Sequence, residues 1–163
     1  MQKVDKVYCI KKYDIAPNLY ALYCNGYVIT TNIYKSNLYI LMSQCLRDYY
    51  KIPISFMGYL YQIPDYPEYV VSDYGHVWSI KTNKQLYERI RPNSCNVQLS
   101  KNSYKYELSI AKLVATLFNF GDEKIGQQIR YKDKNSANNK RTNLYWVGYD
   151  KSESDSDTIQ SKR

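Results

Sequence analysis

The chain has 163 residues, 44% of them hydrophobic and 23% charged, with a formal net charge of +8. This length suits one domain, or one domain with a small appendage, and the composition allows a packed core and excludes wholesale disorder. The basic balance suggests a polyanionic partner, nucleic acid before acidic lipid or acidic protein, and no run of about eighteen uncharged apolar residues stands out as a membrane span.

The opening "MQKVDKVYCIKKYD" alternates charged and apolar residues and has no signal-peptide core, so an intracellular protein is expected. Further on, "NLYALYCNGYVITTNIY" places Asn25-Gly26 between two alternating apolar runs. That is a strong short hairpin signal, because both turn positions need positive φ. "SNLYILMSQCLRDYYKI" follows with helical spacing. Ser36 is its candidate N-cap, Leu38, Leu41, Met42, Cys45, Leu46 and Tyr49 form one stripe, and Pro53 ends it. Residues 1–58 therefore read as a ββα unit, and nothing in it carries recognisable chemistry.

The next stretch, "EYVVSDYGHVWSI", alternates around a turn at Ser72-Asp73-Tyr74-Gly75. "NVQLSKNSYKYELSI" is a second hairpin with Lys101-Asn102-Ser103 at its tip. "AKLVATLFNF" has helical spacing at Leu113, Val114, Leu117 and Phe118, with Gly121 as a stop. An Asn-rich basic loop and "NLYWV" close the patterned part of the chain. The tail from 150 to 163 has no apolar periodicity and is expected to be disordered. In it Ser152 and Ser154 each have an aspartate three residues on, the pattern of an acid-directed kinase site. The four cysteines, Cys9, Cys24, Cys45 and Cys95, form no Cys-x-x-Cys pair, and there is one histidine, His76. Zinc sites want about four clustered ligands, so small buried hydrophobes in a reducing compartment are the better reading. Twenty tyrosines fit the codon usage of an AT-rich genome, with stacking on bases as the functional alternative.

The part from about 59 to 149 resembles the HNH homing endonucleases of phages and large viruses, including the small modular domain that precedes their nuclease module. Ile63, Pro64, Tyr66, Tyr69, Val71, Ser72, Gly75, Val77 and Ser79 match that modular domain in order. Leu113, Val114, Ala115 and Phe118 keep the packing face of the nuclease-module helix, while Ala111 and Lys112 replace its polar start. Asp133, Asn135, Asn138, Asn139, Asn143, Leu144 and Trp146 match the loop after it with unchanged spacing. Their expected work is structural: Asn and Asp side chains satisfy turn backbone, and Trp146 plugs the small core beneath.

The resemblance implies a histidine general base, and before it a ligand for one divalent metal on the scissile phosphate. Tyr131 stands at the base position, with an ordinary pKa of about 10 against about 6.5 for histidine. Arg130, a permanent cation, stands at the ligand position. His76 falls in the modular part, where the family carries a basic, phosphate-facing residue. The resulting expectation is a non-catalytic, degenerate HNH protein that needs no cofactor and no metal. It would bind duplex DNA through phosphate contacts by Lys124, Arg130, Tyr131, Lys132, Lys134, Lys140, Arg141 and His76. Two alternatives remain: a nuclease with a different metal arrangement around Asp133, Asn135 and Asn139, and a protein-interaction module. The expected architecture is α+β: the ββα unit 1–58, a β-rich modular domain 59–110, an HNH-like module 111–149 and the tail 150–163. A homodimer through the N-terminal unit is also expected, because a short sheet needs its edge covered.

Overall fold

The computed structural model describes residues 2–118 and 128–148. Lys124, the stop at Gly121 and the tail with Ser152 and Ser154 lie outside the described residues. The fold is α+β, with two helices and twelve strands among those residues. The N-terminal unit has one strand more than its sequence suggests. β1 (Tyr8–Tyr13), β2 (Ala16–Cys24) and β3 (Tyr27–Asn32) form an antiparallel sheet in that order. The β2–β3 turn uses Asn25 at φ 51° and Gly26 at φ 84°, as the Asn-Gly pair requires.

Helix α1 (Lys35–Tyr50) packs on this sheet. Its buried face is Leu38, Tyr39, Met42, Ser43, Leu46 and Tyr50, so the stripe is turned slightly from the apolar one. Tyr39 and Tyr50 replace Tyr49 because their hydroxyls find partners inside: Tyr39 donates to Leu117 O at 2.7 Å and Tyr50 accepts from Lys6 N at 2.9 Å. Ser36 is not the cap. Tyr34 occupies that position without a side-chain hydrogen bond, and Lys51 closes the helix in the left-handed region at φ 56°.

After the helix come β4 (Leu60–Gln62), β5 (Tyr69–Ser72), β6 (Val77–Ser79) and β7 (Lys84–Gln85), paired antiparallel in sequence order. β8 (Glu88–Arg91), β9 (Ser94–Lys101) and β10 (Tyr104–Ser109) form a third sheet, with the β9–β10 turn at Asn102 and Ser103 as the hairpin pattern implies. Helix α2 (Ile110–Leu117) is capped by Ser109, whose hydroxyl accepts from Lys112 N at 3.3 Å. β11 (Gln128–Tyr131) and β12 (Leu144–Val147) pair antiparallel and enclose the Asn-rich loop, which ends in one turn of 3₁₀ helix at Arg141–Asn143.

One core runs from Tyr8 to Phe118 and takes in residues of both the N-terminal unit and the modular part. Polar side chains complete the seam between them. Gln62 accepts from Tyr8 N at 2.8 Å, and the Tyr61 hydroxyl accepts from Ile10 N at 3.1 Å and donates to Ile10 O at 3.1 Å. These groups satisfy the free edge of β1 as a neighbouring strand would. Burial pushes the Tyr61 phenol up to about 12, so it keeps its proton for this role at any ordinary pH. No described helix is long and apolar enough to cross a membrane.

Candidate nucleic-acid interface

The β5–β6 turn and the finger β11–loop–β12 meet face to face. Gly75 has φ +85°, and a Cβ there would stand 2.6 Å from Asn139 Cβ and 2.8 Å from the Asn139 carbonyl. Only glycine fits both the turn and the approach. Beside it Arg141 N donates to Asp73 O at 2.7 Å, and the Lys140 ammonium lies 4.4 Å from the Tyr74 ring centre. Asp73 Oδ1 in turn accepts from Tyr59 N at 2.8 Å, which anchors the turn to the start of β4.

Inside the finger, side chains substitute for regular backbone pairing. Asp133 Oδ1 accepts from Asn135 N at 2.8 Å and from Asn143 Nδ2 at 2.9 Å, and Oδ2 accepts from Asn138 Nδ2 at 2.7 Å. These donors, Asn138 first, hold the Asp133 carboxyl below its usual range. Buried Asn143 also accepts from Asp133 N at 3.1 Å and donates to Asn138 O at 2.8 Å. Asn139, likewise buried, accepts from the Tyr131 hydroxyl at 3.3 Å. The matched Asn and Asp positions therefore do shape the loop. Trp146 does not plug the core, however. It is half-buried opposite Ile129, and Leu144 packs against the core instead. The reason is register: in so short a ladder the deepest inward position is the one nearest the loop, where Leu144 pairs with Tyr131.

The cations divide into two groups. Arg130, Lys132, Lys134 and Lys140 are exposed. Lys134 sits at φ 61°, a left-handed position that holds its side chain at the loop apex. Arg141 is turned inward: its Nε donates to Phe118 O at 2.7 Å, and burial lowers its guanidinium pKa. It ties the end of α2 to the finger. His76 is half exposed and its Nδ1 meets Glu88 Oε1, a contact that raises the imidazole pKa. Burial raises the Tyr131 phenol too, which moves it further from service as a base near neutral pH.

Sequence reasoning missed a second polar face. In the register of β8, β9 and β10, Arg89 pairs with Asn96, Arg91 with Ser94, Glu107 with Gln98 and Lys105 with Ser100, all on the side away from buried Cys95, Val97 and Leu99. The alternation of "SCNVQLS" was the available signal, and its polar half was passed over.

The residues present do not fit the divalent ion that the resembled family uses. Among the described residues no three His, Cys, Asp or Glu side chains converge on one point. Both Asp133 oxygens already serve amide donors, and Asn135 Oδ1 accepts from Ala137 N at 3.0 Å.

The chain is similar to two HNH endonucleases of Acanthamoeba polyphaga mimivirus, both named as uncharacterized. It is 31% identical to one over 101 residues, 61% of this chain, and 31% identical to the other over 84 residues, 52% of this chain. It spans about a quarter of the length of each, 25% in both cases. Among solved structures it matches the HNH homing endonuclease I-HmuI, in a structure described as DNA binding and cleavage, at 31% identity and a TM-score of 0.51. That match covers 63% of this chain and 58% of the other. No protein-family model matches. These findings correct the expectation that the chain is not an enzyme. Relatives and structural neighbour alike are named endonucleases. The expectation rested on three replaced positions, Arg130 and Tyr131 in the loop and the ligand position after Trp146, and it set His76 aside because His76 lies in the modular part.

Asn143→Ala is expected to cost about 0.5–1.5 kcal/mol, because buried Asn143 gives up its hydrogen bonds with Asp133 and Asn138. Trp146→Ala is expected to cost less than the roughly 3–5 kcal/mol of a fully buried tryptophan. Chemical denaturation of the two variants checks this, and a loss of the full, roughly 3–5 kcal/mol in the Trp146 variant would reverse the assignment.

Proposed function

We propose that the chain binds duplex DNA through its phosphates and cuts a strand of it. The observation that carries this reading is the finger itself. Arg130, Lys132, Lys134 and Lys140 stand exposed on a loop that buried Asn139 and Asn143 and the Asp133 carboxylate hold in shape. Such a loop presents fixed positive charge to a backbone that rewards it with counterion release. The outward face of β8, β9 and β10 adds Arg89, Arg91 and Lys105 beside Asn96 and Gln98, side chains able to reach phosphates and base edges. The cleavage half follows the names of the relatives, and nicking of supercoiled plasmid in magnesium, in manganese and in chelator tests it. In this division of labour residues 59–110 and 111–149 form the DNA-handling part, and 1–58 support it. The setting is the interior of an infected cell.

Four phosphate contacts by the finger contribute about −3.6 to the log–log salt slope, at about −0.9 per contact. Fluorescence anisotropy on a short duplex over a salt series measures it. Replacing Arg130, Lys132, Lys134 and Lys140 by alanine should bring the slope close to the contribution of the second face alone. Wild-type affinity and slope in that variant would remove the finger from the interface.

A second copy along β3 is the association we propose for the N-terminal unit. Side chains of β4 cover the β1 edge, while β3 is the other edge of its sheet and exposes Tyr27, Val28 and Ile29, with Ile33 and Tyr34 exposed just beyond it. Light scattering should give twice 19.3 kDa for the wild type and 19.3 kDa for Ile29→Lys. A wild-type monomer at high micromolar concentration would end the idea.

A further inference from the structure

His76 begins the return from the β5–β6 turn into β6, and Glu88 lies on β8 opposite Val97, on the core side of that sheet. His76 Nδ1 meets Glu88 Oε1, and the glutamate is the more buried of the two, with 16% of its side chain exposed against 45% for the histidine. A carboxylate on Nδ1 fixes the imidazole tautomer and leaves Nε2 as the acceptor. The pair is not remote from the finger. Gly75, the residue before His76, is pressed against Asn139, and Asn139 holds the Tyr131 hydroxyl. On β9, burial raises the Cys95 thiol, the Glu88 charge adds to the rise, and a hydrogen bond with Asn139 opposes it. His76 with Glu88 and Asn139 with Tyr131 are thus two polar pairs joined at Gly75, where the modular part and the finger touch.

We propose that His76, oriented by Glu88, is the general base of strand cleavage, delivered to the finger from the β5–β6 turn. This rests on the cleavage reading above. His76 is the chain's single imidazole, so it is the side chain whose ordinary pKa lies near neutrality. Its Nε2 takes a proton from a water molecule. The water oxygen forms the new bond to phosphorus, the bond from phosphorus to the departing sugar oxygen breaks, and that oxygen takes a proton from solvent. Glu88 is a positioning residue that holds the ring and stabilises the imidazolium formed. Tyr131, at the position that the sequence suggests for a base, instead helps fix Asn139.

The pH dependence has a definite sign. Glu88, the largest influence on His76, raises the imidazole pKa, so the base form accumulates only as pH rises through a value above 6.5. Of the neighbours that titrate, Cys95 on β9 and Tyr131 on β11 are both shifted upward by burial and stay protonated near neutrality. The charges at the turn are Asp73, Lys140 and Arg141.

The experiment is plasmid nicking by the full chain from pH 5.5 to 9, in magnesium, in manganese and in chelator, with duplex affinity measured alongside. His76→Ala should lower the nicking rate by about 10²–10⁴-fold, leave affinity within about threefold, and recover rate on addition of free imidazole. Glu88→Gln should shift the rising limb of the profile to lower pH. A wild type that nicks while His76→Ala nicks at the same rate with the same profile overturns the base and leaves the cleavage reading standing. Loss of rate without imidazole rescue, together with an unmoved profile in Glu88→Gln, also overturns it and assigns the pair a structural role. A wild type that binds DNA and never nicks removes the cleavage reading, and the base with it.

Discussion

The approach of Gly75 to Asn139 is the constraint on which the functional geometry depends. Two strands of four residues each, β11 and β12, are too small to hold an orientation by themselves. They acquire one because the β5–β6 turn lies flush on their loop, with a backbone hydrogen bond from Arg141 to Asp73 and a glycine where any side chain would collide. The contact does two things together. It aims the exposed cations of the finger, and it sets the residue before His76 against Asn139, which holds the Tyr131 hydroxyl.

The same economy recurs elsewhere in the fold: polar side chains act where backbone partners are missing. Tyr61 and Gln62 close the edge of β1. Ser43 accepts from Leu60 N at 2.7 Å and donates to Tyr39 O at 2.6 Å. Arg47 donates to the carbonyls of Pro53, Phe56 and Gly58, which pins the link between α1 and β4. Buried groups satisfied in this way cost little, and they specify the packing more sharply than apolar contacts do. Many of the twenty tyrosines find their explanation here. Tyr8, Tyr39, Tyr50, Tyr61 and Tyr69 are buried, and several use the hydroxyl as an internal partner, so stacking on bases is not needed to account for them.

Much of this was legible in the sequence, for physical reasons that can be named. The Asn25-Gly26 and Asn102-Ser103 turns were readable because positive φ restricts residue choice. Helix α2 was readable from its spacing, and the Asn and Asp positions of the finger from their unchanged intervals. β1 was missed because Lys11 and Lys12 interrupt its alternation and its edge is satisfied by distant side chains. Trp146 was misplaced because a matched motif fixes spacing, not depth. Arg141 looked like its lysine neighbours, since nothing local reveals that Phe118 O awaits it. His76 was read as phosphate-facing from the resemblance alone, since its partner, Glu88, is twelve residues away and is brought near only by the meeting of two sheets.

The β5–β6 turn and the finger form one body through Gly75. Hydrogen exchange on Gly75→Ala tests it most directly. The amides of Lys132 and Asn143, which donate within the finger to Asn143 O and Lys140 O at 2.8 Å each, report on the finger. Those of Tyr8 and Ile10 report on the far seam. Protection should fall by at least about tenfold at Lys132 and Asn143 and stay unchanged at Tyr8 and Ile10, a change of about 1.4 kcal/mol or more confined to the finger. Wild-type protection at Lys132 and Asn143 in the folded variant would contradict it.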